Sequence, residues 1–292
     1  MNAGNDWELA GTWYKGALHV HTTASDGCLN VPAVCEQYRR HGFDFVCITD
    51  HWRRFAHTAQ TWDDDMLIIE GIELDGFDDR GVYYHVVAIG GDDPQPVPSE
   101  FSKALYKMKK RGALLFWAHP HWTGNRLEDG LAHPFDGLEI YTHAAHCEIG
   151  KGIAGIYWDA ILEEKPCFLG VAVDDAHFRP EDPFFNGGWV VVNAENRTRD
   201  AVLAAIQQGR FYASRGPSFH HLIRRGNRIE LKTSPVVAAR IVGPRSTGHW
   251  RYDAASFTEM AFELDPAWAY VRLEIEDAAG RVAWTQNLHC PG

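Results

Sequence analysis

The chain has 292 residues, 45% hydrophobic and 23% charged, enough for one sizeable core with a small appendage. A formal charge of -11, with no basic run longer than Lys109-Lys110-Arg111, excludes an electrostatic grip on a nucleic-acid polymer. No apolar stretch nears the roughly 20 residues of a membrane helix, and Met1 to Asp6 lacks the basic and apolar regions of a secretory leader.

The cysteines Cys28, Cys35, Cys47, Cys147, Cys167 and Cys290 form no C-x-x-C pair or regular framework. Cys47 and Cys167 lie in apolar runs and read as buried thiols. These features set the expectation of a reducing, cytoplasmic protein without membrane contact, acting on a small molecule; they leave the oligomeric state open.

In chain order, Gly16 to His21 alternates as a strand. Asn30 then reads as an N-cap and Pro32 as an early helical residue, opening a helix that Gly42 ends. Strands are expected at Phe43 to Thr49, Met66 to Glu73 and Val82 to Ile89. The run Asp92-Asp93-Pro94-Gln95-Pro96-Val97-Pro98 is a stiff loop. A helix capped by Ser99 runs to Lys110 and stops at Gly112. Strands follow at Ala113 to Ala118 and Leu138 to Tyr141, then a helix near Gly152 to Glu164. Strands at Cys167 to Val173 and Trp189 to Val192 precede a helix from Thr198 to Gln208. Short apolar strands alternating with amphipathic helices predict a mainly parallel, barrel-like sheet. After Gly216-Pro217 only strands are expected: 218–224, 228–233, 237–242, 258–264, 270–275 and 281–285. They predict a small antiparallel β domain at 218–292, behind a first domain at 1–217.

The sixteen histidines concentrate beside carboxylates at the ends of those apolar runs. His19 and His21 flank Val20, so a strand projects both imidazoles to one side, as a divalent ion requires. The pattern continues with Ser25-Asp26-Gly27, Asp50-His51, Glu73, His85, His119-Pro120 and Asp175-Ala176-His177. Any one of these is weak; their order at successive strand ends is not. Asp50 and Asp174, beside proposed ligands, are expected to orient neighbouring groups. His121, His133 and His146 read as polar-loop residues, His41 and His57 as surface residues.

In that order the motifs resemble the polymerase and histidinol phosphatase (PHP) family of metal-dependent phosphoesterases, over about the first 217 residues. Gly209 to Ser214 with Gly216-Pro217, and a terminal β region running into Ala283-Trp284, are similar to its carbaryl-hydrolase-like branch. The resemblance implies an α/β fold, a distorted (β/α)7 PHP barrel with a small C-terminal antiparallel β domain. It also implies two or three divalent metal ions (Mn, Zn or Fe). Carried over by motif, His19, His21, Glu73 and Asp175 hold the first ion. Glu73, His85 and His119 hold the second, with Glu73 bridging, and Asp26, His51 and His177 hold the third. This chain departs from the pattern where Asp26 replaces a frequent His, where His143 stands near an expected Asn, and where Arg215 replaces a small residue.

The implied chemistry is hydrolysis of a small phosphorylated metabolite by a metal-activated hydroxide. His51 or His177 is the proton donor to the leaving group and Arg215 the contact for an anionic substrate. His143 and Tyr212 are further wall candidates. Two rivals stand beside this: a carbamate, ester or amide hydrolase on the same cluster, and a non-catalytic metal-binding scaffold.

Overall fold

The computed structural model describes residues 7–8, 12–55, 66–92, 96–182 and 184–290. The Met1 to Asp6 start, His57 and the centre of the loop at 92–98 lie outside the described residues.

The elements run β1 (Trp7–Glu8), β2 (Thr12–Ala17), α1 (Val31–Arg40), β3 (Phe45–Ile48), β4 (Leu67–Phe77), β5 (Tyr83–Ile89), α2 (Phe101–Lys110) and β6 (Leu114–Trp117). There follow α3 (Pro120–Thr123), α4 (Leu127–Leu131), β7 (Gly137–Thr142), α5 (His143–Ile149), α6 (Gly155–Leu162), β8 (Leu169–Val173), β9 (Trp189–Ala194) and α7 (Arg199–Gln207). The chain ends with β10 (Phe211–Ser214), β11 (Phe219–Arg225), β12 (Arg228–Val242), β13 (Gly248–Glu263), β14 (Arg272–Glu276) and β15 (Val282–Thr285). This is a mixed α/β fold. None of its described helices is long and apolar enough to cross a membrane.

Local chemistry explains the elements. The Asn30 side chain accepts from the Ala33 N–H at the start of α1, and the Thr198 hydroxyl does the same for Ala201 in α7. Strands β3, β6 and β8 are buried at every position, which is why their sequences read as unbroken apolar runs.

The sheet order is β1-β11-β12-β14-β15-β10-β9-β2-β3-β4-β5-β6-β7-β8, with β13 paired to β12. Neighbours are parallel at β2–β3, β3–β4, β6–β7 and β7–β8. They are antiparallel at β4–β5, β5–β6, β2–β9 and β9–β10, so the expectation of a mainly parallel sheet is corrected. The cause is local: β4 returns directly as β5 through the Asp78 turn, and a hairpin return is necessarily antiparallel. Asp78 accepts from the Arg80 and Val82 N–H groups and from the Arg80 and His133 side chains. His133 is therefore a buried turn brace, not a polar-loop residue. A single parallel bridge joins Val20 to Ala176, bringing the segment after β2 against the segment after β8.

Other boundaries also differ from the sequence reading. The first strand ends at Ala17, so His19 and His21 lie in the segment beyond it. Strand β10, apolar but only four residues long, and the first half of β13, whose residues 248–256 are all exposed, were not among the expected strands. The two strands expected at 228–242 are one long strand, its pairing with β13 irregular between Lys232 and Ala238. The C-terminal strands share an apolar core with Ile229, Val236, Ile241, Leu273 and Ile275 at its centre. They connect to the rest through β10, which pairs with β9 on one side and β15 on the other. Arg272 reaches α6 with two hydrogen bonds to Asp159, at 2.7 and 2.8 Å. Cys167 is bonded to Cys290 across 123 residues, which corrects its reading as a free buried thiol; Cys47 remains a buried thiol.

Candidate metal centre

Glu73 does not close its strand; it lies in the middle of β4, fully buried. Because β5 runs antiparallel to β4, His85 near the start of β5 comes to the same end of the sheet. The two Glu73 oxygens face different imidazoles. Oε2 lies 3.2 Å from His19 Nε2, 3.1 Å from His21 Nε2 and 3.3 Å from His51 Nε2. Oε1 lies 2.7 Å from His85 Nδ1 and 3.4 Å from His119 Nε2. Asp175 Oδ1 is 3.2 Å from the Nε2 atoms of both His19 and His21, which are themselves 3.0 Å apart.

The backbone bends to make this possible. His119 and Asp175 adopt positive φ, 26° and 58°, a region that costs a non-glycine residue roughly 1–2 kcal/mol. Gly27 is required by a close approach, since a β-carbon there would sit 2.5 Å from the His21 carbonyl oxygen. The loop before it is pinned by Asp50, which accepts from the Thr22 N–H, the Thr22 hydroxyl and the Ser25 hydroxyl. Asp174 accepts from Tyr38 OH and from the N–H groups of Asn186, Gly187 and Gly188. Both acids thus brace main chain and touch no ligand ring.

Two carboxylates absent from the sequence reading hold the imidazoles. Glu139 accepts from His19 Nδ1 at 2.6 Å, from the His119 N–H at 2.9 Å and from the Thr142 hydroxyl at 2.7 Å. A proton fixed on Nδ1 leaves the His19 Nε2 lone pair facing Glu73 and Asp175. Asp75 lies 3.0 Å from His51 Nδ1 and does the same for that ring. The signal for Glu139 was present: a carboxylate inside an otherwise apolar strand, Gly137–Thr142.

The donor atoms fall into four sets, each within 4.8 Å. One joins His19, His21, Glu73 and Asp175, and another His21, Asp26, His51 and His177. The remaining sets regroup the second expected site: His51 with Glu73 and His85, and His119 with His19 and Glu139. The electrostatics suit cations. Burial alone would lower the pKa of His21, yet hydrogen bonds to Asp175 and Glu73 raise it to about 9. Burial likewise opposes protonation of His19, and the charges of Asp175, Glu73 and Glu139 outweigh it. Burial would raise Glu73, but the charge of His19 and hydrogen bonds from His119, His19 and His21 hold it well below the carboxylate range. Buried ring atoms His21 Nδ1 and His119 Nδ1 have no hydrogen-bond partner among the described residues. Soft nitrogen donors, a two-oxygen carboxylate and orphaned ring atoms fit divalent ions.

A cavity of about 200 Å³ opens over the cluster. Asp26, His51, Glu73, His85, His119, Asp175 and His177 all face it, and Trp122, Glu148, Arg179 and Asp182 complete much of the wall. The Trp122 ring stands edge-on to His119 at 5.0 Å. Burial raises the pKa of both Glu148 and Asp182.

Arg215 does not line this cavity. Its guanidinium lies 4.1 Å from the Tyr141 ring centroid and its Nε is buried without a hydrogen-bond partner. The Arg215 N–H donates to the Val282 carbonyl, which ties its main chain to β15. His143 sits beneath it, bonded to Tyr141 OH, and Tyr212 is core against Trp13 and Phe219. Arg215, expected to contact substrate, and His143 and Tyr212, expected in the wall, are therefore not among the residues lining this cavity. Arg179, unremarked in the sequence, is the only lysine or arginine among the described wall residues.

No protein-family model and no curated protein matches the chain. Among solved structures it is similar to a two-domain protein from Bacteroides vulgatus ATCC 8482 containing a predicted PHP-like metal-dependent phosphoesterase. The two share 16% identity and a TM-score of 0.53, over 95% of this chain and 88% of that one. A protein from Bifidobacterium adolescentis ATCC 15703, assigned as a metal-dependent phosphoesterase, matches at 16% identity and TM-score 0.43, covering 65% and 95%. An amidohydrolase from Chromobacterium violaceum with bound sulfate and no metal matches at 13% and 0.41, covering 57% and 89%. At these identities the first match establishes a shared fold over nearly the whole chain.

Proposed function

We propose that the chain is a PHP-type metal-dependent hydrolase, a phosphoesterase acting on a small phosphorylated metabolite. The observation that carries this is Glu73, one buried carboxylate whose two oxygens face five imidazoles. His19, His21, Glu73 and Asp175 would hold one ion, Glu73, His85 and His119 a second, and Asp26, His51 and His177 a third, with Mn, Zn or Fe as candidates. Bound there, divalent ions would acidify water and neutralise charge on the substrate's oxygens.

The chain's own residues supply the rest. Arg179, held on Asp26, adds a positive charge to the wall that an incoming anionic group would feel. The cavity, smaller than the roughly 300 Å³ at which ligand pockets begin, suits a phosphoryl-sized head group. His51, steadied by Asp75, and His177, stacked on His21 at 4.2 Å, are the groups placed to give a proton to a leaving oxygen. The reading includes a distorted (β/α)7 barrel over 1–217, closed by the Val20–Ala176 bridge, and an antiparallel β domain over 218–292 on the carbaryl-hydrolase-like pattern. The cytoplasmic expectation is not carried into it, because Cys167 and Cys290 are bonded and disulfides persist in oxidising compartments.

One observation favours a second reading. Glu148 and Asp182 put carboxylates on the same wall, which suits a neutral carbamate, ester or amide better than a dianion. Purified protein supplied with manganese should be given aryl phosphate monoesters and aryl carboxyl esters in parallel. Turnover of the phosphate monoesters is expected; cleavage of the carbon esters alone would replace the phosphoesterase reading with the second.

A further inference from the structure

Asp26 is the exposed member of the ligand cluster, its side chain 41% accessible, while His19, His21 and Glu73 are at 1% or less. Its Oδ2 lies 3.2 Å from His177 Nε2 and its Oδ1 3.4 Å from His21 Nδ1. A third group is already on it. Arg179 Nη2 donates to Asp26 Oδ2 at 2.5 Å, and Arg179 Nε and Nη2 both donate to the Asp26 carbonyl oxygen, at 3.1 and 3.0 Å. The guanidinium grips main chain and side chain of the same residue together.

This arginine is held in place rather than draped over the surface. Phe178, between His177 and Arg179, takes a positive φ of 56° and packs its ring against Phe185 and Tyr38. Arg179 and Asp182 form an antiparallel bridge, and the His177 carbonyl accepts from the Cys28 N–H. The Asp26 loop and the Arg179 loop are thereby locked to one another. A divalent ion on Asp26, His51 and His177 would have to share this carboxylate with the guanidinium, beside a fixed positive charge.

We propose that Arg179 is a built-in competitor for the outer ligand set, so that this chain binds two divalent ions tightly and a third only by displacing the arginine. The proposal rests on the metal-centre reading and adds an ion count and the residue that sets it. Arg179 is a positioning residue in this account: it acts through Asp26. In the two-ion form His51 and His177 stay free of the third ion.

The test is ion counting, which needs no substrate. Wild-type protein, Arg179→Ala and Arg179→Lys are equilibrated with Mn²⁺ alone at graded free concentrations, and bound manganese per chain is measured by elemental analysis and titration calorimetry. Wild type should bind two ions tightly and a third at least tenfold more weakly. Arg179→Ala should tighten the third site by tenfold or more, and Arg179→Lys should restore most of the competition. Should the alanine variant fold poorly, Arg179→Gln, neutral and of similar reach, keeps the test decisive and should tighten the third site likewise, while Asp26→Asn alone should lose the third ion. Three equally tight ions in wild type, or a third-site affinity unmoved by Arg179→Ala, would overturn the proposal and leave the metal centre standing. No bound manganese in any variant would overturn the metal centre itself.

Discussion

The strand ends around Glu73 and the stack of strands from β11 to β15 bury opposite kinds of side chain. At the first, His19, His21, Glu73, Glu139 and Asp174 are all 1% exposed or less, and their carboxylates and most ring nitrogens face one another. At the second, Ile229, Val236, Ile241, Val271, Leu273 and Ile275 are at 0%. Burying a large aliphatic side chain contributes roughly 1.5–3 kcal/mol, whereas burying a charge costs unless it is paired and hydrogen-bonded. Cohesion therefore resides in one region and chemistry in the other. Substitutions should separate the two, damaging function without the fold at Glu73 and the fold without the site near β14.

The largest effect belongs to Glu73→Gln. The amide cannot bridge two cations with two anionic oxygens, so turnover should fall on the order of a thousandfold. Its melting temperature should stay near wild type. Wild-type turnover would remove the bridging role, and a melting temperature far below wild type would break the contrast between the regions.

Glu139→Gln is expected to weaken manganese binding by roughly 10–100-fold, read by chelator competition, because its single amide oxygen cannot serve both His19 Nδ1 and the His119 N–H and Thr142 hydroxyl. An unchanged affinity would reduce Glu139 to a packing residue. On the other side of the comparison, Arg272→Ala leaves Asp159 without its partner. Asp159 is 31% exposed, so the loss should be about 3 kcal/mol, the low end for a broken buried pair. Urea unfolding measures it, and activity per folded molecule should not change.

The smallest effect is at the β4–β5 turn. Burial would raise the Asp78 pKa, but the Val82 N–H, Arg80 and His133 bring it down to about 2. A carboxylate held below its unfolded value of about 3.9 stabilises the fold above that value, and the contribution is lost as pH falls through about 2. Asp78→Asn should therefore cost about 1 kcal/mol at neutral pH. Melting curves of the two proteins should converge between about pH 4 and pH 2; a gap that persisted there would assign the loss to something other than the carboxylate.

Much of the site was legible because strand alternation and short motifs put donors in a recognisable order. His19/His21, Asp26, His51, Glu73, Asp175 and His177 were readable from spelling alone, and their atoms meet. What stayed hidden depended on long-range pairing. Glu139 supports His19 across 120 residues and Arg179 grips Asp26 across 153, separations at which no local period operates. Arg215, expected to meet an anionic substrate, lies over the Tyr141 ring and outside the cavity lining, a placement that no local pattern announces. The fold followed the same division. Buried strands such as β3 and β8 announced themselves, but the antiparallel return of β5 is set by the Asp78 turn, and the first half of β13 leaves even Trp250 and Tyr252 exposed.

Strand β10 carries one further consequence. It is four residues long, entirely buried, and bonded along both edges, to β9 and to β15. A gene truncated after residue 217 would keep β10 but strip one of its flanks, exposing a hydrophobic ribbon with unsatisfied main-chain groups, the kind of edge on which chains stick to one another. Expressing residues 1–217 alone would thus yield inclusion bodies sooner than a smaller soluble protein.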